Sequence, residues 1–553
     1  MLWRLVSSLA GIALVVSVQA CSDESLGVTN PNNPDRGQTL ANASDVEGLA
    51  SAQFGAIIDA TLGDIARLQT SMAVMSFENA ATGLANNGMP RGAIPRQAID
   101  NSRGNPYAPE GFADFQFLSF VARNSADILQ RAKAEGFSLG SGRDGDLIRL
   151  KAFAHFTAGV ALGYLSAVYD SAGVPRETDG PSDVPPLEGY KEVNAYALAQ
   201  LDSALSYASQ PGMTALPAGW LTGPGGPTVP PARFAEIIRS FRARLRASVA
   251  RDPEERAAVD WAAVIADATN GIKSDFEIWL DPSTAWDYEW LATTLHFRDT
   301  NWHQMTPYII GMADVSGAFD QWLATPRDER QGFLIITPDL RFPQGNTREE
   351  QNADRGGQGA PTGGKYFRNR LASLDPVTPG WANSQYDHYR FRALADAGRT
   401  GPLPFFTKAE NDMLAAEGYI RQGNIAAAAA LIDITRTKNG LPPLTGTVNS
   451  LSDPVPGGDQ CVPRVPTGNG PTQCGNIMEA MKWEKRMETA FTTYGVWFFD
   501  GRGWGDLPVG TALEFPLPNQ EADARNVPIY NLGGIGGPRS SAGSTYGYGD
   551  GNR

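Results

Sequence analysis

The chain has 553 residues, of which 42% are hydrophobic and 19% are charged, and this composition is that of a globular protein with a sizeable core. Its formal net charge is −14 at pH 7. Because nucleic-acid binding requires a basic face, this charge argues against a nucleic-acid partner.

The N-terminus has the pattern of a secretory signal peptide. An apolar run from Leu9 to Val18 follows a short basic start, and a small residue stands directly before Cys21. The run is too short for a membrane-spanning helix, which needs about 20 residues. The arrangement resembles the bacterial lipobox, in which the cysteine thiol is acylated. We therefore expect residues 1–20 to be a signal peptide and residues 21–42 a tether anchored by lipid on Cys21. A secreted protein with an incidental cysteine is the alternative.

Helical periodicity dominates the next part of the chain. Ser44 opens a first helix, and apolar residues recur at helical spacing in several later segments, the earliest of which includes Phe117 and Phe120. The helices come in pairs joined by turns, which indicates a repeat architecture. We predict a helical scaffold over residues 43–272 and 406–439. The later segments are 112–134, 147–169, 190–207, 234–249 and 261–272.

Residues 276–404 are rich in aromatic side chains and loops and show little period. Trp286, Tyr288 and Trp290 alternate, which in an extended chain places three rings on one face. Flat rings beside carboxylates are typical of sugar platforms. We therefore predict a ligand-binding region here, with an ordinary half-buried strand as the alternative. Other rings in the region are further candidates for ligand contacts: Trp302, Tyr308, Trp322, Trp381, Tyr386 and Tyr389.

A sharper helix pair follows at residues 413–436, MLAAEGYIRQGNIAAAAALIDITR. Its small residues let the two helices approach closely, Tyr419 packs between them, and Gly423 makes the turn. The segment resembles a tetratricopeptide unit. A generic antiparallel helix pair is the alternative.

Cys461 and Cys474 lie in a loop rich in proline and glycine. Outside the cytoplasm such a pair is most simply a disulfide that restrains the loop. A metal site would need more ligands, and no histidine is near. We therefore predict a disulfide between them.

The segment 483–521 combines charge with large apolar groups. Glu484 and Glu488 lie one helical turn apart, and a dense aromatic run then leads to Asp500, Arg502 and Trp504 before the ending FPLPNQE. So many large side chains beside charged groups indicate a buried, paired segment. We interpret residues 476–521 as a clasp that closes the scaffold. The expected ion partners of the two glutamates are Arg486, Asp500 and Arg502.

Together these segments resemble the SusD/RagB family of outer-membrane nutrient-uptake lipoproteins. NPNNPDRGQTLANASDVEGLASAQF, LIRLKAFAHFTAGVALGYLSAVYDSAGVP and YKEVNAYALAQLDSAL are similar to its N-terminal and helical motifs. Segments 406–439 and 483–521 follow in the same order. This chain departs from the family pattern at residues 492–495 and 500–504, which leaves the ligand open.

The resemblance implies a mainly α, SusD-like fold. In this interpretation residues 43–553 form one domain, in which tetratricopeptide-like helix pairs build a scaffold that displays the irregular, loop-rich ligand-binding region. The resemblance also places ligand contacts near Arg91 and Tyr107 in the early loop. Because such proteins bind and do not cleave, we expect no catalytic residues, no cofactor and no metal.

The resemblance further implies a cellular role. Such a protein is lipid-anchored at the outer membrane, faces the cell exterior and caps a SusC-like, TonB-dependent transporter. It captures an oligosaccharide or another nutrient and passes it inward. Two alternatives remain at this point, namely a lipid-anchored extracytoplasmic glycan hydrolase and a tetratricopeptide-type scaffold that binds other proteins.

Overall fold

Helices make up most of the regular structure in the computed structural model of the chain. The structure describes residues 40–64, 66–81, 89–106, 109–180, 182–289, 303–354, 365–468, 470–537 and 544–551. Among these residues, no helix has both the length and the apolar content needed to cross a bilayer.

The helices, numbered in chain order, are α1 Ala43–Leu62, α2 Leu68–Met75, α3 Pro109–Ala132, α4 Asp144–Val168, α5 Tyr190–Ala208, α6 Pro231–Ser248, α7 Pro253–Ala257, α8 Trp261–Thr269, α9 Pro307–Ile310, α10 Ala318–Ala324, α11 Arg348–Ala353, α12 Arg392–Asp396, α13 Lys408–Arg421, α14 Ile425–Lys438, α15 Ile477–Thr489, α16 Val496–Trp504 and α17 Asn519–Arg525. The prediction of a mainly α chain is therefore confirmed. Each predicted scaffold segment coincides with a helix, and the ends differ by a few residues, as frayed helix ends commonly do.

The scaffold is built from helices that pack on their neighbours in sequence. Helix α4 packs on both α3 and α5, α5 packs on α6, and α8 packs on α6 and α13. Close approach requires small residues at the contacts: a Cβ on Gly159 of α4 would lie only 2.7 Å from Leu201 Cγ of α5. The pattern of small residues in these helices is therefore a consequence of their tight packing.

Helices α13 and α14 form the pair expected at residues 413–436. Gly423 makes the turn between them with a φ of +77°, and the Thr407 hydroxyl and the Asn424 side chain cap the two N-termini. Helix α15 packs on both members of the pair. The C-terminal segment therefore docks directly onto the helical scaffold.

Short two-stranded antiparallel sheets tie the loops together. The strands are β1 Ala80–Ala81, β2 Ala98–Ile99, β3 Ser171–Gly173, β4 Leu187–Gly189, β5 Phe276–Leu280, β6 His303–Gln304, β7 Phe367–Asn369, β8 Tyr386–His388, β9 Gly401–Phe406, β10 Arg464–Val465, β11 Gln473–Cys474 and β12 Leu532–Gly533. Strand β5 pairs with β9, so that Ile278 lies opposite Leu403. The loop-rich region 276–404 therefore begins and ends at one place on the scaffold.

Cys461 and Cys474 are joined by the disulfide that the sequence predicts. The bond lies beside the β10–β11 hairpin, and Cys461 is buried in a hydrophobic cluster with residues of α13, α14 and α15. The disulfide thus restrains the loop that leads into the C-terminal segment.

Candidate functional site

Arg502 of the C-terminal segment binds the ends of two scaffold helices. Its guanidinium donates hydrogen bonds of 2.7 Å to the carbonyls of Ala167 and Ser248, 3.1 Å to that of Ala250 and 2.6 Å to that of Leu513. The last carbonyls of a helix have no partner within the helix. This buried arginine satisfies such groups at the ends of α4 and α6, which is a structural role.

Glu484 and Glu488 are buried, and their cation partner differs from the predicted ones. Both pair with Arg341 of the loop-rich region, which lies 2.9 Å from Glu484 and 3.4 Å from Glu488. The expected partner Arg486 pairs instead with Asp506, at 2.6 Å. The predicted ion pairing of the two glutamates is therefore wrong in its partners. The glutamates connect the C-terminal segment to the loop-rich region.

Asp500, the third expected partner, belongs to a separate buried network. Its carboxylate lies 3.0 Å from Arg256 of α7 and 2.7 Å from Lys485 of α15. Arg256 also forms two hydrogen bonds, of 2.9 and 2.5 Å, with Glu417 of α13. Paired and hydrogen-bonded in this way, the buried charges hold α7, α13, α15 and α16 together.

The predicted rings Trp286 and Tyr288 are part of the hydrophobic core. Trp286 is 7% exposed and packs 5.9 Å from the ring of Phe54, and Tyr288 is fully buried. Trp286 pairs with Asp281 around a tight turn rather than in a continuous strand. The alternation therefore does not give these two rings a common open face, and ligand contact by either one stays a prediction. The other predicted site residues Cys21, Tyr107, Trp290 and Trp302 lie outside the described residues.

Trp322 belongs to an aromatic cluster in which Phe77, just after α2, meets the loop-rich region. Phe77 stacks on Tyr308 at 4.7 Å, and Tyr308 meets Trp322 edge-on at 4.9 Å. The guanidinium of Arg330 lies 4.3 Å from the Trp322 ring centroid. Trp381 packs 5.8 Å from Tyr308 and is only half-buried. The structure thus brings several of the predicted rings together. Trp381 is partly exposed, so the cluster reaches the surface at this ring.

An open groove lies elsewhere, along the outer face of α3. Its volume is about 390 Å³, which falls within the common range of ligand pockets. Helix α3 forms one wall, the loop between β3 and β4 forms the other, and α17 closes one end. The lining residues are Phe112, Phe115, Gln116, Ser119, Phe120, Arg123, Gly173, Pro175, Asp183, Val184, Pro185, Glu521 and Arg525.

The charged groups of this groove are paired with groups of the protein itself. Arg525 lies 2.5 Å from Glu521 and donates a 2.6 Å hydrogen bond to the carbonyl of Pro185. Arg123 donates to the carbonyl of Gly180 and lies 3.4 Å from Asp127. The groove therefore offers apolar and aromatic surface flanked by polar groups that carry little net charge.

This groove is not among the sites that the sequence predicts. The periodicity of α3 assigned Phe117 and Phe120 to the buried stripe, but they are 36% and 53% exposed. The buried stripe is formed by Phe115, Leu118 and Val121. A helical-wheel projection of α3 places apolar residues on two faces. Since the core covers one face, the projection could have shown that the other set of apolar residues is left exposed.

No set of three or more His, Cys, Asp or Glu side chains in the described parts of the chain is arranged to hold a metal ion. His155, which the sequence places in an apolar helix, is buried between α4 and α5. Its Nδ1 lies 2.6 Å from the side-chain oxygen of Gln200. Burial lowers the pKa of this imidazole to about 4. It is therefore a neutral core histidine at physiological pH.

No family model matches the sequence, and no curated protein matches it. Solved structures, however, share its fold. A SusD superfamily protein from Bacteroides vulgatus matches 84% of this chain and 89% of its own, with 13% identity and a TM-score of 0.51. A SusD homolog from Parabacteroides distasonis matches 82% of this chain and 84% of its own, with 14% identity and a TM-score of 0.51. The chain has a SusD-like fold, so the family resemblance of its motifs is confirmed at the level of the fold.

Proposed function

We propose that this SusD-like chain is a lipid-anchored member of the SusD/RagB family that binds a glycan nutrient at the cell surface. It delivers the nutrient to a SusC-like, TonB-dependent outer-membrane transporter. The observation that carries the proposal is the SusD-like fold over 84% of the chain, matched to a protein of that superfamily. The family motifs of the sequence occur in the same order along this fold.

The architecture is consistent with a binding role. A packed helical scaffold presents the loop-rich region, whose two ends meet at the pairing of β5 with β9. Binding residues are often carried on loops that a rigid scaffold positions. The buried pairs of Arg341 and Arg256 couple the C-terminal segment to this region and to the scaffold. These buried charges stabilise the fold. We therefore expect rings and polar groups nearer the surface to contact the ligand.

The first experiment measures binding and cleavage together. The soluble Cys21→Ser chain is incubated with purified polysaccharides, and retention on each polysaccharide and new reducing ends are followed. We expect retention on at least one polysaccharide without release of reducing sugar. Release of sugar would support a glycan hydrolase instead, and retention on none of them would contradict glycan binding.

Membrane attachment is tested separately. In the producing cell, Cys21→Ala should move the protein from the membrane fraction to the soluble fraction, because the acylated thiol is absent. Ser22→Ala, one position later, keeps the thiol and is the matched control. Continued membrane association of the Cys21→Ala protein would contradict the lipid anchor.

Exposure and partnership need intact cells and native membranes. A surface protein should be digested when intact cells are treated with protease, whereas a periplasmic scaffold for other proteins should be protected. Mild detergent extraction should co-purify a large β-barrel transporter with a plug domain. Protection of the protein from protease would refute the surface location. Absence of a transporter from the purified material would refute the proposed delivery step.

A further inference from the structure

The groove on α3 gathers several exposed apolar groups. Phe120 is 53% exposed and Val184 is 71% exposed, and they lie on the two facing walls. Isolated apolar groups are common on protein surfaces, but here they converge in one concavity with Phe112, Pro175 and Pro185. A concave site of this size that is lined mainly by apolar and aromatic side chains has the character of a ligand pocket.

Arg525 joins two parts of the groove. It donates a hydrogen bond of 2.6 Å to the carbonyl of Pro185, which connects α17 to the loop wall. Its guanidinium also lies against strand β3, where a Cβ on Gly173 would lie 2.9 Å from Arg525 Nη2. These contacts hold the loop wall and α17 together.

The charged side chains of the groove indicate the net charge of a ligand that would fit. Two guanidiniums, Arg123 and Arg525, line the groove together with two carboxylates, Asp183 and Glu521. An anionic ligand would meet the carboxylates and a cationic ligand would meet the guanidiniums, so neither sign is favoured. A neutral ligand with one apolar face and hydroxyl groups along its edge matches both components. The C–H face of a sugar ring would pack on Phe112 and Phe120, and its hydroxyl groups would reach the polar groups at the rim.

We infer that this groove is a binding site for a short neutral segment of an oligosaccharide, separate from the aromatic cluster of Phe77, Tyr308, Trp322 and Trp381. The inference rests on the proposed function for the class of ligand. Its location rests on the groove alone.

Binding is measured by titration calorimetry of the Cys21→Ser chain with maltohexaose, cellohexaose, xylohexaose, mannohexaose and laminarihexaose. Phe120→Ala removes the exposed ring of the groove. Phe117→Ala, on the same helix but outside the lining, is the matched control. Phe120→Ala should weaken the binding of the preferred hexasaccharide about fivefold or more, through loss of ring contact, and Phe117→Ala should leave it unchanged. Both rings are partly exposed, so both variants should fold, which their melting curves verify.

If a hexasaccharide binds but Phe120→Ala leaves its affinity unchanged, the groove is not the site, whereas glycan binding stands. If Phe117→Ala and Phe120→Ala weaken binding equally, the effect comes from the helix and the groove assignment also fails. If none of the hexasaccharides binds the unsubstituted protein, the assignment of a neutral glycan ligand to the groove is wrong. Retention on a polysaccharide in the earlier experiment would then still leave the proposed function in place.

Discussion

The carboxylate of Glu78 accepts a hydrogen bond of 2.7 Å from the backbone N–H of Phe491, although 413 residues separate the two along the chain. Phe491 has a φ of +58°, a left-handed conformation that is uncommon outside glycine. Glu78 is buried, and burial raises its pKa to about 8 even though the N–H of Phe491 favours the ionised form. A buried acid therefore holds the turn that begins the aromatic part of the C-terminal segment.

This contact predicts how stability changes with pH. An unfolded Glu78 titrates near its ordinary pKa of 4.5, and the folded group near 8. Between these values the folded state binds the proton and the unfolded state does not, so the free energy of unfolding falls as the pH rises. Glu78→Gln keeps an oxygen for the N–H of Phe491 and removes the ionisation. Urea unfolding from pH 5 to pH 8 should therefore be less pH-dependent in this variant than in the unsubstituted protein.

Glu135→Gln is the control for that experiment, because it removes a carboxylate from the exposed surface. The control should follow the pH dependence of the unsubstituted protein. A Glu78→Gln profile that also does so would show that Glu78 does not carry the predicted proton.

Arg502 should be essential for stability rather than for binding. Arg502→Met leaves the carbonyls of Ser248, Ala250 and Leu513 without this donor, whereas the carbonyl of Ala167 keeps its hydrogen bond from Arg251. Since each buried unsatisfied carbonyl costs about 1–3 kcal/mol, we expect the free energy of unfolding to fall by about 3 kcal/mol or more. Arg103→Met, at a side chain that is 70% exposed, should change the free energy of unfolding far less, because an exposed ion pair contributes little. Equal urea midpoints for the two variants would contradict this role.

Protonation of Glu417, which breaks its ion pair with Arg256, should lower the stability of the protein in acid. Burial opposes ionisation of Glu417, but Arg256 outweighs it and lowers the pKa of that carboxyl to about 2. The stability that Glu417 contributes is present above its ordinary pKa of 4.5 and is lost as the pH falls through about 2. Glu417→Gln should cost about 3 kcal/mol at pH 7, the lower end of the cost of breaking a buried ion pair, because Arg256 loses one carboxylate partner and keeps the other, Asp500.

The same variant should show a weaker loss of stability than the unsubstituted protein between pH 4.5 and pH 2.5. Thermal unfolding across that range tests this expectation. A steeper acid dependence in Glu417→Gln would mean that other carboxylates control unfolding in acid.

The disulfide between Cys461 and Cys474 should stabilise the chain measurably. Closing a loop of this size removes conformational freedom from the unfolded state, which is worth about 3 kcal/mol. The double variant Cys461→Ser, Cys474→Ser should therefore unfold at lower urea concentration than the oxidised protein. Adding a reductant should lower the midpoint of the unsubstituted protein and leave that of the double variant unchanged. A midpoint that does not respond to reductant in either protein would argue against a stabilising bond.

The Trp286→Ala variant distinguishes a role of this ring in the hydrophobic core from a role in ligand binding. Since its ring is buried against Phe54, Trp286→Ala should cost about 3–5 kcal/mol of stability. Trp381→Ala should cost less, because Trp381 is only half-buried. Melting curves measure both. If Trp286→Ala melts like the unsubstituted protein and instead loses glycan affinity, the original prediction of an aromatic platform is restored.

The helices could be predicted from the sequence because their signal is local. The expected segment 190–207 is α5, Tyr190–Ala208, and the expected turn at Gly423 is formed. Apolar residues three and four positions apart determine a helix within a single stretch of chain. The partners of the buried charges lack such a signal. Glu484 pairs with Arg341, which lies 143 residues away, and no spacing within segment 483–521 indicates that arginine.

The helical segments, the disulfide pair and the burial of the C-terminal segment could be predicted from composition and periodicity, because these signals act over short distances. The direction in which each ring faces could not. Trp286 and Tyr288 are buried in the core, whereas Phe120 lies at the surface in a groove. Burial of a ring depends on which distant elements cover it, and a local pattern contains no information on those elements. The loop wall beside α3 and the β5–β9 pairing bring together parts of the chain that are far apart in sequence.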